Sequence, residues 1–502
     1  MANSLHNLLL GFGVALTPEN FLYCWIGAVL GTIVGVLPGI GPVTAIALLL
    51  PLTFKMTATG AIIMLAGIYY GAMHAGSTTA IMLNMPGEPA AIVICYDGHP
   101  MAKQGRAGAA LAIAAIASFF AGCVCILVIT FFSAPLSRAA LSLGAPEYTS
   151  AIVLALSGIS VLSRKSLLNT IGMAVLGLAL GTVGTDTNSG VVRFTLGEMR
   201  LQEGINFVPV SLALFALVNI TFTLSRDEPK MSIKTRFREL MPTWTDMKAC
   251  FMPMVRGTFI GGAMGVLPGT GPLVASFATY AVEKKSAKDP SRFGKGAIEG
   301  VAAPEAAANA SAMTHFIPML SLGIPAGAAM ALMLGALIIH GITPGPRLMV
   351  QQPGLFWGLI ASMWIGNLML LVLNLPLVGV WIKLLQTPYR IIYPVIVVFC
   401  TIGAYSGRND PFDLLVMAGV LLIGWVLESL DCGPGPLIFG IILGPMLEEN
   451  LRRSMLLSHG DPTVFVTRPI SLAFLVLTVV VILLFTRPLA RKESPDPASQ
   501  YD

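Results

Sequence analysis

Pro38, Gly39 and Gly41, and again Pro268, Gly269 and Gly271, stand in two copies of one stretch: GTIVGVLPGIGPVTA (31–45) and GGAMGVLPGTGPLVA (261–275). Nine of the fifteen positions are identical. Proline removes a backbone donor, and glycine adopts conformations that other residues avoid, so each LPGxGP breaks an apolar helix. A broken helix exposes amides at one new end and carbonyls at the other. The amides suit an anion such as a carboxylate, and the carbonyls suit a cation such as Na⁺. The alternative is a packing kink that lets helices cross closely. A kink alone gives no reason for two near-identical copies.

A second polar cluster follows each break. HAGSTTAIMLNMPGEP (74–89) packs Ser77, Thr78, Thr79, Asn84 and Glu88 around a further break at Pro86 and Gly87. The matching AAPEAAANASAMTHFIPMLSLGIPAG (302–327) carries Glu305, Asn309, Ser311, Thr314 and Ser321, and breaks at Gly323 and Pro325. Hydroxyls and amides hold carboxylate oxygens without a fixed charge; serine and threonine also bond back to helix carbonyls. The substrate-binding candidates are therefore Pro38, Gly39, Gly41, Ser77, Thr78, Thr79, Asn84, Gly87, Pro268, Gly269, Gly271, Gly323 and Pro325. The ion-coupling candidates are Glu88, Glu305, Asn309 and Thr314.

Glu305 and Asn309 are four apart and share a helical face. A carboxylate in a membrane helix is a functional candidate. It could join a cation site, titrate in a proton-coupled cycle, or sit at a cytoplasmic helix end, with Lys295 ten residues away. Glu88 could instead cap a broken helix. No Lys or Arg lies between Gly31 and Pro51, between Gly257 and Tyr280, or between His74 and Pro89. An anion at these blocks must be held by amides, helix dipoles and hydroxyls. His74 and His315 lie near the breaks, but no His/Cys/carboxylate set has metal-ligand spacing, so no metal is expected beyond a Na⁺ site. The seven cysteines read as apolar filler. Asp186 reads as a loop residue, and Glu448, Glu449, Arg452 and Arg453 as pairs at an interfacial helix end. The chain has no Walker A pattern and no hydrolase constellation, which argues against an enzyme.

The elements that must position these residues are membrane helices. The chain has 502 residues, of which 55% are hydrophobic and 11% charged. Runs such as 109–134, 355–382 and 469–486 are each long enough to cross a hydrocarbon core. The expected fold is an all-α polytopic membrane protein with about 11–12 transmembrane or half-spanning helices in two inverted-topology repeats with broken helices. The expected division is an N-terminal repeat (1–224), a basic cytoplasmic connector (225–250), a C-terminal repeat (251–487) and a polar tail (488–502). Loop charges support inversion. Lys55 stands alone after the first break, whereas 283–296 holds Lys284, Lys285, Lys288, Arg292 and Lys295. The bias reverses in the next loops, with Lys103 and Arg106 facing a lone Arg347. Strict inversion would place Arg487, Arg491 and Lys492 outside, so an unequal last span is expected. Residues 1–54 contain no Lys or Arg, and no cleavable signal peptide is expected. The net charge of +5 lies in these loops and is no nucleic-acid signal.

The chain resembles the large membrane subunit of the tripartite tricarboxylate transporter family. The resemblance rests on the GxxxGxxxGxLPGxGP pair, YGAMHAGSTTAIMLNMPGEPAA (70–91), the APEAAANASA and LGIPAG blocks, GTVGTDTNSGVVRFTLG (181–197) and ILGPMLEENLRRS (442–454). It implies ion-gradient-driven uptake of a small organic tri- or dicarboxylate, with Na⁺ or H⁺ as coupling ion and no cofactor. It further implies a bacterial inner membrane, a small four-helix membrane subunit and a periplasmic solute-binding protein. The chain departs from the family pattern at Ala308, where a second asparagine is common, and LGIPAGAAM lacks the usual hydroxyls. A gated anion channel or a membrane-embedded enzyme are the competing classes; a channel would show charge rings or a repeated filter.

Gly39→Val and Gly269→Val should abolish uptake while the protein still reaches the membrane, because a β-branched side chain obstructs both the backbone turn and the approach of a ligand. Uptake assays paired with membrane immunoblots check this; wild-type transport by both variants would reduce the breaks to packing kinks.

Overall fold

The structure is a computed structural model that describes residues 2–37, 41–84, 86–140, 143–162, 167–186, 190–218, 221–222, 242–267, 271–377, 379–381, 389–406, 408–430 and 432–486. Pro38, Gly39, Pro268 and Gly269, most of the connector 225–250 and the tail 488–502 lie outside the described residues.

The chain is all-α. With no water in a bilayer core, backbone groups must be satisfied within each segment, and helices do this. The first half runs α1 (Ala2–Ala15), α2 (Pro18–Val36), α3 (Gly41–Leu49), α4 (Ala58–Leu83), α5 (Ile92–Met101), α6 (Ala107–Ala140), α7 (Ala145–Leu162), α8 (Leu167–Gly181) and α9 (Phe207–Ser211), which continues as a π-helix over Leu212–Leu217. The second runs α10 (Trp244–Val266), α11 (Gly271–Ser286), α12 (Glu299–Thr314), α13 (Phe316–Leu322), α14 (Ala328–Ile339), α15 (Pro353–Asn374), α16 (Tyr389–Ser406), α17 (Phe412–Ser429), α18 (Gly435–Leu457) and α19 (Pro469–Thr486). Two-residue strands, Gly184–Thr185 and Val192–Arg193, pair antiparallel in the loop after α8. Among the described residues six helices are long and apolar enough to cross a membrane: Pro18–Val36, Ala58–Leu83, Pro89–Ser133, Trp244–Val266, Pro353–Asn374 and Phe412–Ser429. Shorter apolar helices such as Gly41–Lys55, Phe207–Leu217 and Ala328–Ile339 accompany them. This is a multi-pass membrane protein.

The four-residue glycine ladders set the closest helix packing in each half. Gly27, Gly31 and Gly35 of α2 lie on the backbone of α4 at Met64, Ile68 and Ala72. Gly257, Gly261 and Gly265 of α10 lie on α12 at Ala303, Ala307 and Ser311. A Cβ at any of the six would strike a main-chain carbonyl oxygen, so only glycine permits this approach. The breaks also match. Leu37 turns extended (φ −81°, ψ 116°) with its N–H on the Val34 carbonyl, and Leu267 does the same (φ −85°, ψ 122°) on Met264. The helix restarts at Gly41 (φ +62°) and Gly271 (φ +54°), in the left-handed region where glycine is at ease. Pro42 and Pro272 then occupy the first turn, where a missing N–H removes no helical bond.

The connector expectation shifts at its end. Residues 244–250 are already helical, because Thr243 and Asp246 form a capping box that starts α10 at Trp244.

The two repeats interlock rather than standing apart. Helix α6 packs on α12, α1 on α15, α8 on α18 and α7 on α19. One carboxylate clasps the halves together. Asp97 on α5 is fully buried. Its Oδ1 accepts the backbone N–H groups of Gly294 (2.8 Å), Gly296 (2.9 Å) and Ala297 (2.8 Å), and its Oδ2 accepts the Tyr280 hydroxyl (2.9 Å). Asp97→Ala would leave four donors without their acceptor, the buried Ala297 amide among them, at a cost of about 3 kcal/mol. A fall in the thermal unfolding midpoint of the detergent-purified variant checks this; an unchanged midpoint would mean that water replaces the carboxylate.

Candidate functional site

Both breaks open on one cavity of about 540 Å³, within the ~300–1,000 Å³ typical of small-molecule sites. From the first half it is lined by Gly41, Pro42, Val43 and Thr44 at the start of α3, by Tyr69 and Met73 of α4, and by the loop 86–90. The second half contributes Gly271, Pro272 and Leu273 at the start of α11, then His315 and the loop 326–329. Two helix N-termini therefore converge on it. Each presents the positive end of a helix dipole. Among the described residues, no Lys or Arg lines the cavity.

Local sequence chemistry explains how the wall is built. α4 ends at Asn84, which takes the left-handed cap conformation (φ +56°). The chain then doubles back, and Gly87 donates its N–H to the Gly76 carbonyl (3.2 Å). Gly87 rests on Gly76 and on the Gly35 carbonyl, so Glu88 arrives beside α4. Gly323 ends α13 with the same left-handed turn (φ +70°). Phe215, in the π-helical segment after α9, reaches the cavity wall and offers its carbonyl to the Thr44 hydroxyl (2.8 Å). A π-turn shifts the helical bonding pattern, and such segments favour functional sites.

The predicted residues divide between two places. Gly41, Gly87, Glu88 and Gly271 line the cavity. Ser77, Glu305 and Asn309 form a separate buried cluster with Ser118 of α6, which sequence reasoning missed. Ser77 donates to Glu305 Oε2. Ser118 (2.7 Å) and Asn309 Nδ2 (3.0 Å) donate to Oε1, and Asn309 Nδ2 also reaches the Ser118 hydroxyl (2.9 Å). All the donors are neutral, and among the described residues Glu305 has no ion pair. Asn309 Oδ1 is buried with no protein partner. A carboxylate beside a free carbonyl oxygen is a donor set that fits a proton or a small hard cation. This resolves the sequence-level choice for Glu305: it is 2% exposed and stands inside the protein, not at a helix end.

Other candidates have local partners. Thr79 donates to the Gly76 carbonyl (2.9 Å) and Thr314 to that of Ala310 (3.0 Å), the back-bonding alternative. Thr78 is buried beside Ser77. Asn84, Gly323 and Pro325 shape the loops and are not among the lining residues. Glu88 stands at the N-cap of the short helix Pro89–Ala91 without a side-chain capping bond. A second cavity, of about 500 Å³, lies between α8, the strand loop and α18. Beside it Arg193 clasps Glu448 (2.6 and 3.1 Å), and Arg452 bridges Asp186 (2.7 Å) and Glu448 (2.7 Å). The Glu448–Arg452 pair thus forms on the helix surface at four-residue spacing, and both residues also reach across to the loop that holds Asp186 and Arg193.

Glu305→Leu should lower stability by about 2–5 kcal/mol, because Ser77, Ser118 and Asn309 lose their shared acceptor in the core. Glu305→Gln, which keeps one acceptor oxygen, should cost clearly less. Thermal unfolding of the two purified variants checks the order; the reverse order would refute the acceptor role.

Comparison with known proteins comes down to sequence, since no solved structure matches the chain. Residues 21–439 match the family described as "Tripartite tricarboxylate transporter TctA family". The chain is 50% identical over 495 residues to the "Uncharacterized 52.8 kDa protein in TAR-I ttuC' 3'region" of Agrobacterium vitis, covering 98% of each chain. It is 55% identical over 235 residues to the "Uncharacterized protein in TAR-II ttuC' 3'region" of the same organism, covering 46% of this chain and 96% of that one. With a family match across most of its length and a relative alike from end to end, the chain belongs to the tripartite tricarboxylate transporter TctA family.

Proposed function

We propose that the protein is the large membrane subunit of an ion-gradient-driven importer in a bacterial inner membrane. It takes up a small organic tri- or dicarboxylate that a periplasmic solute-binding protein delivers, alongside a small four-helix membrane subunit. The observation that carries this reading is the convergence of two helix N-termini on one cavity that, among the described residues, no Lys or Arg lines. Such ends attract anions and, with no fixed cation to hold the anion permanently, allow release. Pro38, Gly39, Pro268 and Gly269 would supply the turns between the helix ends.

The Glu305, Asn309, Ser77 and Ser118 cluster is the proposed place of the coupling ion, Na⁺ or H⁺. A cation bound there offsets the charge of an incoming carboxylate. Charge-bias reversal between matching loops supports opposite orientation of the two repeats, the arrangement that gives alternating access around a central site. No catalytic residue is assigned.

The test is uptake of labelled citrate and succinate into proteoliposomes holding this subunit and its small partner. The binding protein is added or withheld, and a Na⁺ or proton gradient is imposed or collapsed. Accumulation above the external concentration, abolished when one gradient is collapsed and when the binding protein is withheld, is the expected result. Flux that only equilibrates the substrate, whatever the gradient, would make the protein a channel.

A further inference from the structure

The two halves place different side chains at matching positions of the cavity wall. Aligning LNMPGEPAA (83–91) with LGIPAGAAM (322–330) sets Glu88 against Gly327; the same register sets Gly76 against His315. The helix contacts keep this register, for Gly35 meets Ala72 and Gly265 meets Ser311. Asn84 and Gly323, also matched, share the left-handed turn. In each half the large residue leans on its own half's glycine. A Cβ on Gly76 would meet Glu88 Cγ at 2.7 Å, and a Cβ on Gly327 would meet His315 Cε1 at 3.3 Å. The duplicated frame thus holds an acid from one half and an imidazole from the other.

Both residues line the cavity. His315 Nδ1 is 3.3 Å from the Tyr69 hydroxyl. A tyrosine donating to Nδ1 leaves the ring proton on Nε2. Nε2 is buried and has no protein partner. The Glu88 carboxylate accepts no hydrogen bond from a described residue, and it lies close enough to Glu305 for their charges to repel. His315 and Glu88 thus both line the cavity, and neither Nε2 nor the Glu88 carboxylate has a hydrogen-bond partner among the described residues.

We propose that this pair reads two different groups of one ligand: His315 Nε2–H donates to a carboxylate, and the Glu88 carboxylate accepts from a hydroxyl. The cavity then selects hydroxy-carboxylates over carboxylates that lack the hydroxyl. The inference rests on the carboxylate reading of the site. A second substrate carboxylate against Glu88 would set like charges together, whereas a hydroxyl is a neutral donor. A site built around a substrate hydroxyl rejects the analogue that lacks it, because its own buried polar group is left unpaired.

L-malate and succinate differ by one hydroxyl and are the probes. Equilibrium binding to the purified, reconstituted subunit should favour malate by about 10- to 100-fold, the range for a hydrogen bond to a charged acceptor. Glu88→Ala should bring the malate-to-succinate affinity ratio to about one. His315→Leu should weaken both ligands about tenfold or more, and His315→Gln, which places an amide donor near the Nε2 position, should recover most of the loss. If His315→Leu fails to fold, His315→Gln binding more tightly than His315→Asn supports the same donor, and equal binding refutes it. Equal malate and succinate affinity in the wild type, or wild-type binding by a folded His315→Leu, overturns the pair. A wild type that binds none of malate, succinate or citrate overturns the carboxylate reading itself, and the donor role with it.

Discussion

Backbone that leaves the helical pattern inside a membrane has no water to turn to, and the design of this protein follows from that constraint. Two helices are interrupted, and each interruption frees amides and carbonyls that lipid cannot satisfy. The glycine ladders bring α4 onto α2 and α12 onto α10 at backbone distance, which walls the interruptions in protein. Gly31, Gly35, Gly261 and Gly265 are seated on carbonyls, and the helix starts that follow, at Gly41 and Gly271, line the cavity. Packing and site are thus one device: the residues that permit contact also decide where unpaired polarity is exposed.

The same economy governs charge. The cavity meets an anion with dipoles and amides, and the Glu305 cluster meets its own carboxylate with hydroxyls and an amide. Full charges of opposite sign are kept at the margins instead, in Arg193, Arg452, Asp186 and Glu448 and in the Arg106–Asp246 pair. A cavity that no Lys or Arg among the described residues lines can let a charged ligand come and go, since no ion pair with a fixed cation must break each time.

Much of this was legible in the sequence, for identifiable reasons. The breaks were readable because proline and glycine act locally, and the glycine ladder because a four-residue step is a helical face. Glu305 and Asn309 were paired by the same spacing. Asn84 stands at a helix end in the left-handed turn, a placement that in sequence looks like any polar residue near a proline. Ser118 escaped notice because it joins Glu305 from 187 residues away, on a helix whose other residues give no polar signal. His315 gives little signal in sequence, since no metal-ligand spacing joins it and its match in the first half is a glycine, Gly76. Asp97 was invisible for a different reason: most of its partners are main-chain amides, which no side-chain pattern reveals.

The Asp97 clasp also bears on how the protein is made. A ribosome delivers Asp97 197 residues ahead of Gly294 and 183 ahead of Tyr280. Ser118 likewise precedes Glu305. The first half must therefore leave the insertion machinery with a bare carboxylate and an unmatched hydroxyl, and hold them until the second half arrives. Early helices remain an unfinished surface throughout synthesis. Assembly of this chain is a late event, completed only when the second half's loop closes over Asp97.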